Sequence, residues 1–590
     1  MSATGPIESI LAADIGSTLT HVCLIDLVEG VYRFVAQAEA PTTLSAPEDD
    51  VTIGLRRAFR RIEQIAQRPL LNGVDELITP EHESGEGVDA FIVSSNAAPP
   101  VRCALVGLTD DLSIDSAQRA CEASNVMVTQ VVRLGRRARR WGSATLTALR
   151  RTPPDVVLIV GGVDAGPTQP LESAARVLAA VYEDIAVERR PQVIFAANQE
   201  ARRPVMDILS PLLDVRVVDN VRPSIEVETP GELQRELSAF YAQTKLSTMA
   251  GYRRLRRWCT APVISTSEAM GNVLRYLAQR NELPHGVLGV DVGGSTTYVG
   301  AARENRYDWV VGTSLGTGLG VTGVMASANV EDIERWLPVS LPQQELFNRL
   351  ENVRLRPYGI PQAMEDLLLT HAVLRQALLA AMRQMRRQHW YDGGDEADAT
   401  TPAFDVIAAR GGAIAHTLQD GLVTLALLDA LQPTGLTRLV IDWASLWPQL
   451  GAIAPIVPMA AAQVLERDSY RELGTLLAPV GEARDGAMAL NLRIIRSDGQ
   501  VTEADIPAGA LRRFPLALNE QATVEVRPSG AFDIGLGRKG QGGRANVRGG
   551  SLGLVVDTRG RPLSLPHDPQ RCRAKLHEWL TNLMTQEPKA

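Results

Sequence analysis

Two stretches, ADIGSTLTHV (Ala13–Val22) and VDVGGSTTYV (Val290–Val299), decide how this chain is read. Each places an Asp near the end of an apolar run, then Gly, then a series of hydroxyl residues. A strand that ends in Asp-x-Gly and turns straight into a second strand makes a tight hairpin, and its glycine lets backbone N–H groups come close to an anion. Neighbouring hydroxyls add hydrogen bonds, and the Asp is placed to hold Mg²⁺ through bound water. One such stretch could be an ordinary structural turn, because Asp, Gly and Ser are the usual turn residues. Here the stretch occurs twice, with Asp291 lying 277 positions after Asp14. That predicts two hairpins, one per lobe, gripping a triphosphate from both sides of a cleft.

The surroundings repeat as well. SILAADIG, THVCLIDL and VYRFVAQAEA predict a three-strand meander from Ser9; LGVDVGG, TTYVGAAR and YDWVVG predict another after Leu288. Between them, apolar runs such as VDAFIVSSN, PDVVLIVGG and PQVIFAAN alternate with segments of helical period, the pattern of a parallel sheet covered on both faces. The pattern turns mainly helical from Leu346 to Gln388. A Gly/Asp-rich break, YDGGDEADATTP, follows, and FDVIAARGGAIA re-enters a sheet. After Gly481 short alternating strands rich in Gly and Arg predict a C-terminal β region that ends in a helix, PQRCRAKLHEWLTNLM. The expected organisation is a first lobe over 1–250 with an α/β subdomain at about 88–250, a second lobe over 251–480, and a β-rich domain over 481–590.

At 590 residues the chain is too long for a single core, and 45% hydrophobic with 22% charged residues is ordinary for a folded protein. A formal charge of −8 gives no global attraction to nucleic acid, so the Arg-rich segments at 133–141 and 252–258 are read as solvated helix faces. Five cysteines without a CxxC pair argue against a disulfide framework or a zinc site. With no signal-peptide pattern and no long apolar run, the expected location is the cytoplasm.

Three other motifs compete. GLGVTG (Gly318–Gly323) satisfies GxGxxG but lacks the acidic residue expected about 20 positions on, so a glycine loop behind the second hairpin is preferred to a dinucleotide site. GTSLG (Gly312–Gly316) satisfies GxSxG with Ser314, but it runs into more glycines instead of opening a helix. GGVDAG (Gly161–Gly166) follows a buried strand, leaving Asp164 as either a ligand group or a helix cap.

The two hairpins resemble the paired phosphate loops of the actin, sugar-kinase and DnaK-type ATPase (ASKHA) superfamily. The order of further motifs, from IVSSNAAPPVRCALVGLT and PDVVLIVGGVDAGP through VIFAANQEA and VDNVRPSIEVETP to VDVGGSTTYV, is similar to the MutL/GlmL family of glutamate mutase accessory proteins, which is unrelated to the mismatch-repair MutL. The resemblance spans roughly the first 480 residues. It implies a two-lobed actin-like α/β fold with ATP and Mg²⁺ as cofactors, and a role in maintaining or reactivating an adenosylcobalamin-dependent mutase. Asp14, Gly16, Ser17, Thr18 and Thr20 would form the first phosphate loop, and Asp291, Gly293, Gly294, Ser295 and Thr296 the second. Asp14 and Asp291 would handle metal and water, and the Gly411–Gly412 turn would lie against the adenosine. Tyr298 stands where the family often has Asp, and Gly312–Gly316 lacks the family's acids. Fewer acids favour binding over turnover. A non-hydrolysing scaffold of the same fold is therefore the main alternative, with a small-molecule kinase behind it.

Overall fold

The computed structural model describes residues 5–134, 141–304, 306–388 and 400–584. Most of the Arg-rich 133–141 segment and of the 391–402 break lies outside the described residues. By compactness the chain divides into one unit of residues 1–97 with 250–590, and a second of residues 98–249.

The first lobe is built on β1 (Ser9–Ile15), β2 (Leu19–Val28), β3 (Val31–Pro41) and β4 (Ala90–Ser95), in the sheet order β3-β2-β1-β4. β1 runs antiparallel to β2 and parallel to β4. Every residue of β1 is buried because both faces of the sheet are covered. Leu11, Ala13 and Ile15 pack with Leu55, Phe59 and Ile62 of helix Val51–Ala66. Ile10 and Ala12, one residue out of phase, pack with Met270 and Leu274 of helix Thr266–Arg280 and with Trp447. Asp14 shares the phase of the second set, which aims it at that helix.

Residues 98–249 form their own parallel sheet of β5 (Val101–Gly107), β6 (Val126–Arg133), β7 (Val156–Gly161), β8 (Gln192–Ala197) and β9 (Val215–Val217), in the order β6-β5-β7-β8-β9. Its core joins Val157, Ile159 and Phe195 of the sheet to Leu171, Leu178 and Tyr182 of helix Gln169–Tyr182. At the carboxyl end of β7, Asp164 accepts hydrogen bonds from the Gln199 N–H at 3.0 Å and the Asn220 side-chain amide at 2.9 Å. It thus ties three loops of this unit together.

The second lobe repeats the first. β10 (Val287–Val292), β11 (Thr297–Arg303) and β12 (Arg306–Gly312) form the meander, and β13 (Val406–Arg410) adds parallel to β10. The order β12-β11-β10-β13 copies β3-β2-β1-β4, and the sheet continues through β14 (Gly435–Ile441) and β15 (Arg471–Ala478). This is the two-lobed actin-like α/β arrangement expected from the duplicated hairpins.

The C-terminal region holds β16 (Val480–Gly481), β17 (Met488–Arg496), β18 (Val501–Pro507), β19 (Leu511–Phe514), β20 (Gln521–Pro528), β21 (Phe532–Asp533), β22 (Gly543–Arg548) and β23 (Gly553–Asp557). Four of these strands form a sheet of their own, β18-β17-β20-β22. β23 and β19 instead extend the second lobe's sheet beyond β15 to eight strands. Helix Pro569–Met584 buries Leu576, Trp579 and Leu583 in the second lobe's core, beside Leu422 and Leu425 of helix Asp420–Leu431. The region after Gly481 therefore completes the second lobe as well as carrying its own sheet.

Candidate functional site

Each hairpin is closed by the same bond. The Gly16 N–H donates to the Leu19 carbonyl at 2.9 Å, and the Gly293 N–H donates to the Thr296 carbonyl at 2.9 Å. A Cβ on Gly16 would stand 2.8 Å from the Leu19 oxygen, so the first turn needs a residue without one. The tips of the two hairpins touch. Ser17 Oγ donates to Ser295 Oγ at 2.7 Å, and Gly294 lies so close to Thr18 that a Cβ on it would meet the Thr18 side chain at 2.6 Å. Asn96, just after β4, donates from its amide to Thr296 Oγ1 at 3.0 Å.

These tips floor a cavity of about 740 Å³. Of the residues expected to bind phosphate, Asp14, Gly16, Ser17, Thr18, Asp291, Gly293, Gly294 and Thr296 line it, as do Gly411 and Gly412. Thr20 does not line it: its hydroxyl is fully buried, 2.9 Å from Thr42 Oγ1, and braces the hairpin from behind. Ser295 meets the site through Ser17. Gly411 has φ 122°, and a Cβ there would stand 2.1 Å from the Val292 carbonyl oxygen, so the β13 turn can pass β10 only as glycine.

The GLGVTG loop supports the second hairpin from behind, because the Gly318 and Gly320 N–H groups donate to the Gly294 carbonyl at 2.9 and 2.8 Å. Ser314 is exposed at φ 64° outside the cavity lining, and the next helix opens only at Val321. An elbow presenting a nucleophile to the cleft is not formed there.

The decisive side chain was not singled out in the sequence. Arg410, the last residue of β13, pairs in register with Asp291 of β10 and lies between both hairpin carboxylates. Its Nη1 donates to Asp291 Oδ2 at 2.5 Å and its Nη2 to Asp14 Oδ2 at 3.0 Å, while Nε lies 3.4 Å from Asp442 Oδ2. Asp14 Oδ1 also accepts from Ser94 Oγ at 2.9 Å and Thr266 Oγ1 at 2.8 Å. Asp442 caps helix Trp447–Ile453 by accepting from the Leu446 and Trp447 N–H groups, each at 2.9 Å. All four charged groups are buried.

Burial alone would depress the Arg410 guanidinium; the carboxylates of Asp291, Asp14 and Asp442 together raise it above its ordinary value. Burial pushes Asp291 up against the pull of Arg410, and pushes Asp442 up to about 6. Asp14 and Asp291, expected to hold Mg²⁺ through water, face a guanidinium in this arrangement. Three of the four oxygens of that pair already accept protein hydrogen bonds, and a permanent cation stands between the two side chains. Among the described residues no three His, Cys, Asp or Glu side chains group to hold a metal ion.

A second charged group stands at the cavity edge. His21 Nδ1 and His416 Nε2 each lie 3.6 Å from Glu39 Oε2. Burial, then Arg410, pushes His21 down to about 4, whereas the Glu39 carboxylate raises His416. The far wall is formed by Arg349 of helix Gln343–Leu355, by Arg356, Tyr358 and Ile360 after it, and by Leu418. Tyr358, Ile360 and Leu418 are exposed apolar side chains.

No curated protein matches the chain significantly. Among solved structures, a nucleotide-free acetone carboxylase is 13% identical, with a TM-score of 0.36, over 86% of this chain and 82% of that chain. Component A of (R)-2-hydroxyglutaryl-CoA dehydratase from Acidaminococcus fermentans is 10% identical, with a TM-score of 0.26, over 78% of this chain and 98% of that chain. A nucleotide-free diol dehydratase-reactivating factor is 12% identical, with a TM-score of 0.28, over 78% and 99%. No helix among the described residues is long and apolar enough to cross a membrane. The MutL protein family matches residues 10–469, most of the chain and both hairpins with it, and the chain belongs to that family.

Proposed function

We propose that this chain binds ATP in the cleft and acts as an accessory protein on a partner of the adenosylcobalamin-dependent mutase class. The observation that carries the reading is the contact of two glycine–hydroxyl turns, Gly16–Thr18 and Gly293–Thr296, at the floor of a cavity of about 740 Å³. That volume falls within the roughly 300–1,000 Å³ of small-molecule sites. With the Gly16 and Gly293 amides spent on closing the turns, the following amides at Ser17, Thr18 and Gly294 are the ones at hand for a polyphosphate. The Gly411–Gly412 turn leaves room for the nucleoside, and Tyr358, Ile360 and Leu418 offer apolar surface to the base. The partner class rests on the resemblance to glutamate mutase accessory proteins, and ATP-dependent closure of the two lobes on each other is the means by which binding would reach the partner.

Hydrolysis to ADP and phosphate is the further step of this reading. A second reading, a nucleotide-gated scaffold without turnover, is favoured by the engagement of Asp14 and Asp291 with Arg410. Calorimetric titration with ATP and a non-hydrolysable analogue tests the shared part. Binding in the micromolar range, about −8 kcal/mol, is expected for both ligands. Absence of binding by either ligand rejects the cleft as a nucleotide site. Phosphate release then separates the two readings, and equal partner affinity in the apo, ADP and ATP states would reject coupling to the partner.

A further inference from the structure

The Arg410 side chain occupies the place where two opposed carboxylates would otherwise receive a divalent ion. Asp14 and Asp291 come from strands of different lobes, and each gives an oxygen to a different Nη of the same guanidinium, at 3.0 and 2.5 Å. A third carboxylate, Asp442, closes on Nε at 3.4 Å. Arginine side chains do not release their proton, so this positive charge does not depend on pH. The position is buried, and Arg410 also lines the cavity at the hairpin tips.

A metal ion reaching the same oxygens would have to displace a charge-assisted bond from each, and it would face a like charge with little water between them. An anion reaching the tips would meet a guanidinium already held in place. Two of its five N–H donors are taken by Asp291 and Asp14, and Nε, 3.4 Å from Asp442, makes no hydrogen bond among the described residues, so each Nη keeps one hydrogen for a further acceptor.

We infer that Arg410 is the resident cation of this cleft, standing in for the divalent ion between Asp14 and Asp291, so that nucleoside polyphosphate is bound there without a metal. This rests on the nucleotide reading above and deepens it. The three carboxylates position the guanidinium, and the guanidinium positions the phosphates.

The test has two arms, both on the full-length protein. In the first, ATP is titrated calorimetrically in excess EDTA and again in excess Mg²⁺, with wild type and Arg410→Gln. Wild type is expected to bind ATP in EDTA at least as tightly as in Mg²⁺, and Arg410→Gln to lose at least tenfold in EDTA. Binding by wild type only in Mg²⁺ overturns the inference. In the second arm, Mn²⁺ is titrated without nucleotide and followed by electron paramagnetic resonance. Wild type is expected to hold no Mn²⁺ that Asp14→Asn or Asp291→Asn removes, whereas Arg410→Gln gains such an ion. A Mn²⁺ held by wild type and lost in both Asn variants overturns the inference. If ATP binds in neither buffer, the nucleotide reading fails, and the Mn²⁺ arm alone still decides whether Arg410 holds the cation position. Arg410→Lys, which keeps a charge but not the fork, is the second variant should Arg410→Gln not fold; it is expected to lose ATP affinity in EDTA while still excluding Mn²⁺.

Discussion

Thr266 is a small residue with a large consequence for the cleft. Its hydroxyl gives Asp14 Oδ1 a hydrogen bond at 2.8 Å inside the core, beside the one from Ser94. Thr266→Val keeps the shape but removes the donor, and a buried charged acceptor that loses a partner costs about 1–3 kcal/mol. The expected outcome is a fall of that size in unfolding free energy, measured by urea denaturation; no change would mean that water replaces the hydroxyl. His371 makes a pH prediction. It is fully buried, and its Nε2 lies 2.9 Å from Thr417 Oγ1. The Thr417 hydroxyl already donates to the Ala413 carbonyl, so His371 is the donor and its Nδ1 keeps a bare lone pair with no partner among the described residues. Burial, then Arg375, pushes its pKa down from 6.5 to about 3. Above pH 6.5 both folded and unfolded states carry a neutral His371 and nothing is lost. Below it the unfolded chain takes up a proton that the folded chain refuses, so stability falls as pH falls toward 3, by up to about 1.4 kcal/mol per pH unit. His371→Gln should lose less stability than wild type between about pH 6 and about pH 4; parallel pH profiles would show that His371 is protonated in the fold.

At the scale of the element, the hairpin pair is tight enough for one methyl group to test it. Gly294→Ala would place a Cβ 2.6 Å from both Thr18 Cγ2 and Thr18 Oγ1, against a neighbour fixed in the opposing hairpin. The tips must separate, at a cost of about 1–3 kcal/mol for overpacking. Nucleotide affinity should fall at least tenfold, and adding Thr18→Ala, which removes both clashing atoms, should restore most of it; failure to restore would place the damage within the second turn itself. These hairpins were legible in the sequence because Asp-x-Gly followed by hydroxyls is a local signal, and local chemistry forms both turns. The parallel sheet of residues 98–249 was legible for the same reason, through continuous apolar runs such as VVLIV. Arg410 was not legible. Its role comes from a register pairing with Asp291 and from the approach of Asp14, 396 positions away in sequence, and no spacing rule carries that. In sequence the carboxylates look like metal ligands, because nothing near them shows which cation they face.

At the scale of the whole molecule, the region after Gly481 reads as a separate β domain because its strands alternate and its turns are glycine-rich. Alternation does not say which strands pair, and β15 pairs in parallel with β23, which is about 75 residues further on in the chain. A buried ion network lies at the end of β23. Arg559 donates to Asp557 through Nε and Nη2, each at 2.9 Å, and to Asp429 through Nη1 at 2.7 Å; Arg561 donates to Asp557 at 2.7 Å, and Arg375 to Asp429 at 2.7 Å. Asp557 and Asp429, with Arg559 and Arg561, have side chains sealed from solvent. Burial alone would raise Asp557, but Arg559 and Arg561 hold its carboxyl well below the usual carboxylate range. Asp557→Ala leaves two buried guanidinium groups short of an acceptor, which costs about 3–5 kcal/mol because the remaining charges are uncompensated. In calorimetry of the full chain, the transition of the 1–97 and 250–590 unit should move to lower temperature, while residues 98–249, with a core of their own, should melt as in wild type. A variant in which both transitions move together would show that the two units unfold as one, and a variant in which neither moves would show that β23 is held by its strand pairing and by helix Pro569–Met584 without the network.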